Sequence, residues 1–174
     1  MPKDTIPIIT GIPYRDIKQA YTGGSTDMYI PYGENIWCYD VNSLYPTAMK
    51  NFKFPIGKFV SFQNLNNLSW NELESLLERK LFGFVEAYVE CSKDIQHPIL
   101  QIRRVIENNS ERTFSPVGSF KGWFHTEELI EAMKLGYKIN IISGYLFEEG
   151  EIFKDYVDDL YRIKMDADKN KDMV

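Results

Sequence analysis

One stretch constrains this chain more than any other: Ile36-Trp37-Cys38-Tyr39-Asp40-Val41-Asn42-Ser43-Leu44-Tyr45-Pro46-Thr47-Ala48-Met49. The apolar, β-prone run predicts a strand over Ile36 to Val41 that delivers a single carboxylate, Asp40. A turn at Asn42-Ser43 follows, then a short helix over roughly Leu44 to Asn51, with Pro46 tolerated in its first turn. Ile36 and Cys38 would share a strand face with Asp40, because side chains alternate with period two. A carboxylate among such neighbours is costly to desolvate unless something pairs with it, and a divalent cation would do so. The backbone N–H groups of Ser43, Leu44 and Tyr45 open the helix without intrahelical acceptors and form a ready anion site. A cation ligand beside an anion cradle is what a metal-bound triphosphate needs, and the flat Tyr45 side chain can pack under a sugar ring. The plain alternative is that Asp40 or Ser43 merely caps the helix.

The 174 residues suffice for one domain with a sizeable core. A hydrophobic content of 44% with 14% aromatics points to a globular chain. The 25 acidic against 20 basic residues, net −5, count against a free-standing nucleic-acid module, whose footprint is usually basic. Cys38 and Cys91 are too few for a disulfide framework and are predicted to be buried free thiols. Neither His97 nor His125 has metal-ligand spacing to a cysteine. No apolar run approaches the roughly 20 residues of a membrane span, so no membrane partner is expected. The N-terminus lacks signal-peptide and transit-peptide patterns, so the protein is expected to act where it is made, unless its native N-terminus lies elsewhere.

Along the chain, residues 1–20 read as a linker or extended arm with a short helical turn near Tyr14 to Gln19. Gly23-Gly24 reads as a turn or as a close backbone approach. Phe54 to Gly57 is expected to end the first unit, with a short strand at Lys58 to Phe62. Ser69 and Glu72 form a capping box before a Leu73, Leu76, Leu77 stripe. Phe82 to Cys91 alternates as a strand, with Val85, Ala87, Val89 and Cys91 on one face. His97 to Arg104 is expected as the next strand and its antiparallel partner, with Arg103-Arg104 a solvated edge or a phosphate contact. Glu107 to Ser119 reads as a loop and Phe120 to Phe124 as a strand. Thr126 is expected to cap a helix ending at Gly136, with Leu129, Ile130 and Met133 facing the core. Tyr137, Ile139 and Ile141 mark another strand, and Phe153 to about Asp168 a final helix. This order predicts an α+β domain with a mostly antiparallel sheet.

Asp40-Val41-Asn42-Ser43-Leu44-Tyr45-Pro46, with Met49 after it, resembles motif A of family B DNA polymerases. It is most similar to the protein-primed branch found in certain phages, adenoviruses and linear plasmids of fungal and plant mitochondria. Tyr21-Thr22-Gly23-Gly24, 19 residues before Asp40, resembles the Tyr-x-Gly-Gly motif that joins exonuclease domain to polymerase core. Weak similarity runs on to Lys164. The resemblance implies a partial palm in four parts: a linker or arm with the Tyr-x-Gly-Gly motif (1–30), a palm segment with motif A (31–60), an inserted subdomain like the terminal-protein region of these enzymes, with palm strands (61–150), and the start of a fingers helix (151–174). It implies nucleotidyl transfer, in which a primer hydroxyl attacks a deoxynucleoside triphosphate at a two-metal Mg²⁺ site. Asp40 and the Val41 carbonyl would be metal ligands, with Asp40 catalytic. Ser43, Leu44 and Tyr45 would bind the nucleotide, with Tyr45 excluding a ribose 2′-OH. Tyr21, Gly23, Gly24 and Lys164 would touch DNA. The implied partners are a DNA template-primer, deoxynucleoside triphosphates and a terminal priming protein.

The second carboxylate motif, the fingers Lys-x-x-x-Asn-x-x-Tyr-Gly motif and the exonuclease carboxylates do not occur in this sequence. The expectation is therefore a polymerase fragment that carries half of an active site and does not polymerise by itself. A truncated, non-catalytic module for terminal protein or DNA is the alternative. Mitochondrion (for a plasmid) or cytoplasm (for a phage) fits either.

Overall fold

Strand β2 (Gly83–Cys91) is hydrogen-bonded along both edges, to β5 (Gly118–His125) on one side and to β6 (Lys138–Gly150) on the other. β1 (Phe54–Gln63) adds to the far side of β6, giving a four-stranded sheet in the order β1-β6-β2-β5 with every pairing antiparallel. This computed structural model describes residues 6–24, 26, 28, 30–105 and 110–171. The pairing dictates the connections. β1 and β2 are both antiparallel to β6, so they run the same way and need a crossover, which α3 (Trp70–Leu77) supplies. β5 and β6 are related in the same way through β2, and α4 (Thr126–Lys134) crosses between them. The result is the α+β architecture with a mostly antiparallel sheet that the sequence predicts.

Both crossover helices cover one face of the sheet. Leu73 of α3 and Leu129 and Ala132 of α4 join Val85, Ala87, Val89 and Cys91 of β2 in one buried cluster. Each fully buried side chain of this size contributes roughly 1.5–3 kcal/mol. A bulge in β6 keeps that face apolar from Ile139 to Leu146. Ala87 pairs with Ile141 but Glu86 pairs with Ser143, so Ile142 is extra and the alternation changes phase. Ile139 and Ile141 before the bulge, and Gly144 and Leu146 after it, therefore all oppose the inward residues of β2. Gly144 has no room for a Cβ, which would lie 2.6 Å from Val85 Cγ1 and 2.8 Å from the Phe84 carbonyl. The opposite face carries α1 (Gly11–Ala20), packed on β5 and tied by a 2.7 Å hydrogen bond from the Tyr145 hydroxyl to Asp16. Burial, with the Asp16 carboxylate, pushes the Tyr145 phenol up to about 12.

Several expectations are corrected. Ile36 to Val41 forms no strand: it is exposed, irregular chain, with Trp37 80% and Tyr39 87% accessible. A strand needs a hydrogen-bonding neighbour, and no described strand lies beside it. Cys38 is consequently exposed, whereas Cys91 is buried as expected. The arm holds a ten-residue helix, longer than the predicted turn. Phe54 to Gly57 opens β1, which runs through position 60 to Gln63 as one strand. Leu76 is exposed, leaving Leu73 and Leu77 to pack. The His97 to Arg104 region forms only β3 (Ile102–Val105), and it pairs with β4 (Glu111–Phe114) as a separate ribbon, because both edges of β2 are taken. The predicted loop thus contains β4 and the start of β5, while positions 107–109 lie outside the described residues.

The cap of α4 is His125, not Thr126. His125 Nδ1 accepts the Glu127 N–H at 3.3 Å, and Glu128 accepts the His125 N–H at 3.3 Å. Thr126 is fully buried and accepts the Gly83 N–H at 3.0 Å. Two outcomes follow. Thr126→Val should leave that buried N–H without an acceptor and lose about 1–3 kcal/mol of stability in urea unfolding, while Thr126→Ser retains most of it. Burial, between the Phe82 and Phe84 rings, holds the His125 imidazole below its ordinary 6.5. Its contribution to stability is therefore complete above pH 6.5 and is lost as pH falls through the lower folded value. His125→Asn, which can still cap, should flatten this acid limb of the stability–pH curve.

Candidate functional site

Asp40 lies on the exposed chain that leads into the Asn42-Ser43 turn, and has no hydrogen-bond or ion-pair partner among the described residues. It does not cap the helix that follows. The turn is made by Ser43 itself, which adopts the left-handed conformation at φ 55° and ψ 41° and caps α2 (Leu44–Asn51) without a side-chain hydrogen bond. Its carbonyl accepts the Thr47 N–H at 2.9 Å, the first bond of the helix. Pro46 has no N–H, so the first turn presents the Leu44 and Tyr45 amides free of intrahelical acceptors. Leu44 and Tyr45 are themselves exposed, Tyr45 at 77%. An unpaired carboxylate, a carbonyl at Val41, two open amides and an exposed phenol ring thus follow one another along six residues. Hard oxygen donors of this kind suit a magnesium-class cation. Among the described residues no cluster of three or more His, Cys, Asp or Glu could hold a metal by itself.

Two contacts tie α2 and its cap to α5 (Lys154–Lys171): Lys50 pairs with Asp158, and the Tyr161 hydroxyl donates to Ser43 Oγ at 3.2 Å. Just beyond α2, the rings of Phe54, at the start of β1, and Phe153 meet edge to face at 4.8 Å. Of the predicted α5 stripe, Val157 is buried, whereas Tyr156, Leu160 and Ile163 remain exposed. Lys164 lies on α5 beyond this contact, its ammonium 6.0 Å from the Tyr161 ring centroid. Lys154 sits 3.9 Å from Glu151.

The Tyr21-Thr22-Gly23-Gly24 segment leaves α1 at the far side of the sheet. Tyr21 is exposed, and a Cβ added at Gly23 or Gly24 would meet nothing within 4 Å, so the space beside both glycines is open. Arg103, on β3, donates to the Tyr21 carbonyl at 2.8 Å. This tie spans 82 positions and has no sequence signal. The structure therefore brings Ser43, Leu44 and Tyr45 together behind Asp40 and Val41, and ties Lys164 to the same helix pair through Tyr161. Among the described residues it shows no hydrogen bond or ring contact between Tyr21, Gly23 or Gly24 and that segment.

The organellar and viral type B DNA polymerase profile matches residues 1–174, the whole chain. The chain belongs to that family. It is 41% identical over 171 residues to a probable DNA polymerase of Neurospora intermedia, covering 96% of this chain and 17% of that relative. It is 43% identical over 165 residues to a probable DNA polymerase of Ascobolus immersus, covering 94% of this chain and 13% of that relative. A DNA polymerase of Bacillus phage Nf is 28% identical over 152 residues, with 83% of this chain and 26% of the phage protein covered. The chain thus spans less than a fifth of the two fungal relatives. The crystal structure of phi29 DNA polymerase superposes with a TM-score of 0.61 at 22% identity, over 94% of this chain and 29% of that one. At that identity the likeness is one of fold, and it identifies this part of a type B polymerase as an α+β unit. No described helix is long and apolar enough to cross a membrane.

The left-handed turn gives this type B segment a testable hinge. Ser43→Gly should leave α2 intact, because glycine adopts φ 55° freely. Ser43→Val should cost about 1–3 kcal/mol locally, because a β-branched residue is strained there. Hydrogen exchange of the Ala48 to Phe52 amides should be faster in the valine variant only.

Proposed function

We propose that this chain is part of a DNA-directed DNA polymerase, and that Asp40 with the start of α2 is its triphosphate site. The observation that carries the reading is the unpaired, exposed Asp40 carboxylate followed directly by the open amides of Leu44 and Tyr45. Asp40 and the Val41 carbonyl are suited to hold a divalent cation, Mg²⁺ by the family resemblance, with further ligands from elsewhere in a longer parent protein. When bound, that metal supplies charge neutralisation of the triphosphate and of the attacking and leaving oxygens in a two-metal reaction.

The chain's own residues do the rest. The Leu44 and Tyr45 amides bind phosphate oxygens at the positive end of α2. The Tyr45 ring packs under the sugar and excludes a 2′-OH by its bulk. Tyr21, Gly23 and Gly24 give a DNA strand a side-chain-free approach, and Lys164 offers a charge on the α5 side. The template-primer is the macromolecular partner, and initiation uses a hydroxyl of a terminal protein in place of a primer, as in the protein-primed branch. This reading gives the four segments 1–30, 31–60, 61–150 and 151–174 their palm, insertion and fingers roles.

The test is a graft of this chain in place of the matching segment of the Ascobolus immersus relative. The graft should extend a primed template, Asp40→Asn should lower extension by about 10²-fold or more, and Tyr45→Val should admit ribonucleotides. The isolated chain should not extend the primer. Extension by the isolated chain, or full activity of the Asp40→Asn graft, would contradict the proposal.

A further inference from the structure

A capping serine ordinarily sits in the extended region and turns its hydroxyl back to accept the N–H of the second or third helical residue. Ser43 does neither. It holds the left-handed conformation, φ 55° and ψ 41°, and its side chain caps nothing. The third residue of α2 is Pro46, which has no N–H, so the Tyr45 amide is the one that a Ser43 cap could reach. A serine beside an open amide would normally close it. Here the Ser43 oxygen is engaged from elsewhere: the Tyr161 hydroxyl, 118 positions away on α5, donates to it at 3.2 Å.

A left-handed serine is sterically costly and persists only where its surroundings fix it. α5 grips α2 at both ends. Asp158 lies one turn before Tyr161 on the same face of α5, and pairs with Lys50 in the last turn of α2. That ion pair is exposed and lies away from the cap, so it docks the helix without acting on Ser43. The Tyr161 hydroxyl acts on Ser43 directly.

We propose that Tyr161 is a positioning residue: by holding the Ser43 hydroxyl in the left-handed turn, it keeps the Tyr45 amide uncapped and open to an anion. The phenol does not touch the anion and works through Ser43 alone. That the anion is a triphosphate rests on the proposed polymerase site; the open amide itself does not.

The experiment follows solvent exchange of the Tyr45 amide by nuclear magnetic resonance in the full chain and its variants, without nucleotide or metal. Tyr161→Phe removes the donor and keeps the ring. Ser43 should then return to the extended region and cap, slowing Tyr45 exchange by about tenfold, the population shift that a cap of ordinary strength supports. Ser43→Gly/Tyr161→Phe has no hydroxyl to cap with, and its Tyr45 amide should exchange as in Ser43→Gly alone. Asp158→Asn, which loosens the other contact between the helices, should leave the amide open. A Tyr45 amide that stays open in Tyr161→Phe, or that closes equally in Asp158→Asn, would overturn the proposal. In the graft, Tyr161→Phe should raise KM for the deoxynucleoside triphosphate by about two- to tenfold with little change in kcat, the range of a single hydrogen bond. The rise should vanish in the Ser43→Gly background, and a rise of the same size there would also overturn the proposal. Closure of the amide with no rise in KM supports the role of Tyr161 and counts against the triphosphate reading, so the two failures are distinguishable.

Discussion

The pairing of β2 along both edges is the constraint on which everything else rests. Because β5 and β6 occupy its two sides, the β3–β4 segment cannot join the sheet and projects as a ribbon. Because the same-sense strands β1/β2 and β5/β6 must be joined by crossovers, α3 and α4 cover one face and close the core. The other face is left for α1, which buries no residue of its own and is held by polar ties at Asp16 and Tyr21. The candidate triphosphate segment lies outside this frame. It is attached through α2 to α5 by one ion pair and one hydroxyl contact, with exposed charges that individually contribute little. A stable sheet thus carries a candidate segment whose apolar approach, Ile36 to Val41, has no strand partner among the described residues.

The distribution of charge follows the same division. Most carboxylates are scattered over the surface or matched to a neighbouring lysine, as in Lys53–Glu149 and Lys138–Glu90. Among the described residues Asp40, before the α2 amides, has no ion-pair partner. The acidic composition argues against a free-standing DNA-binding module and fits a segment of a larger polymerase.

Local patterns were legible in the sequence and non-local ones were not. The alternation of Val85, Ala87, Val89 and Cys91 marks β2 because one face is uniformly buried. Glu72 accepts both the Ser69 N–H and its hydroxyl, at 2.7 and 2.6 Å, as the capping-box spacing predicts. β6 was legible only up to Ile141, because the bulge at Ile142 breaks the period there. Ile36 to Val41 has strand-like residues, but pairing is a property of the neighbour and not of the segment. Thr126 is the cap the sequence predicts, yet its hydroxyl is taken by the Gly83 N–H, 43 positions away. At the candidate site, the string from Asp40 to Met49 pointed to the turn and helix correctly. The left-handed Ser43, the α5 clamp and the Arg103–Tyr21 tie depend on folded geometry and left no mark in the sequence.

The most direct measurement of the central claim is a nuclear magnetic resonance titration of the isolated, isotope-labelled chain with dTTP and trace Mn²⁺. The account predicts shifts at the Leu44 and Tyr45 amides, with paramagnetic broadening centred on residues flanking Asp40 and lost in Asp40→Asn. Broadening centred elsewhere, or unchanged in Asp40→Asn, would contradict it.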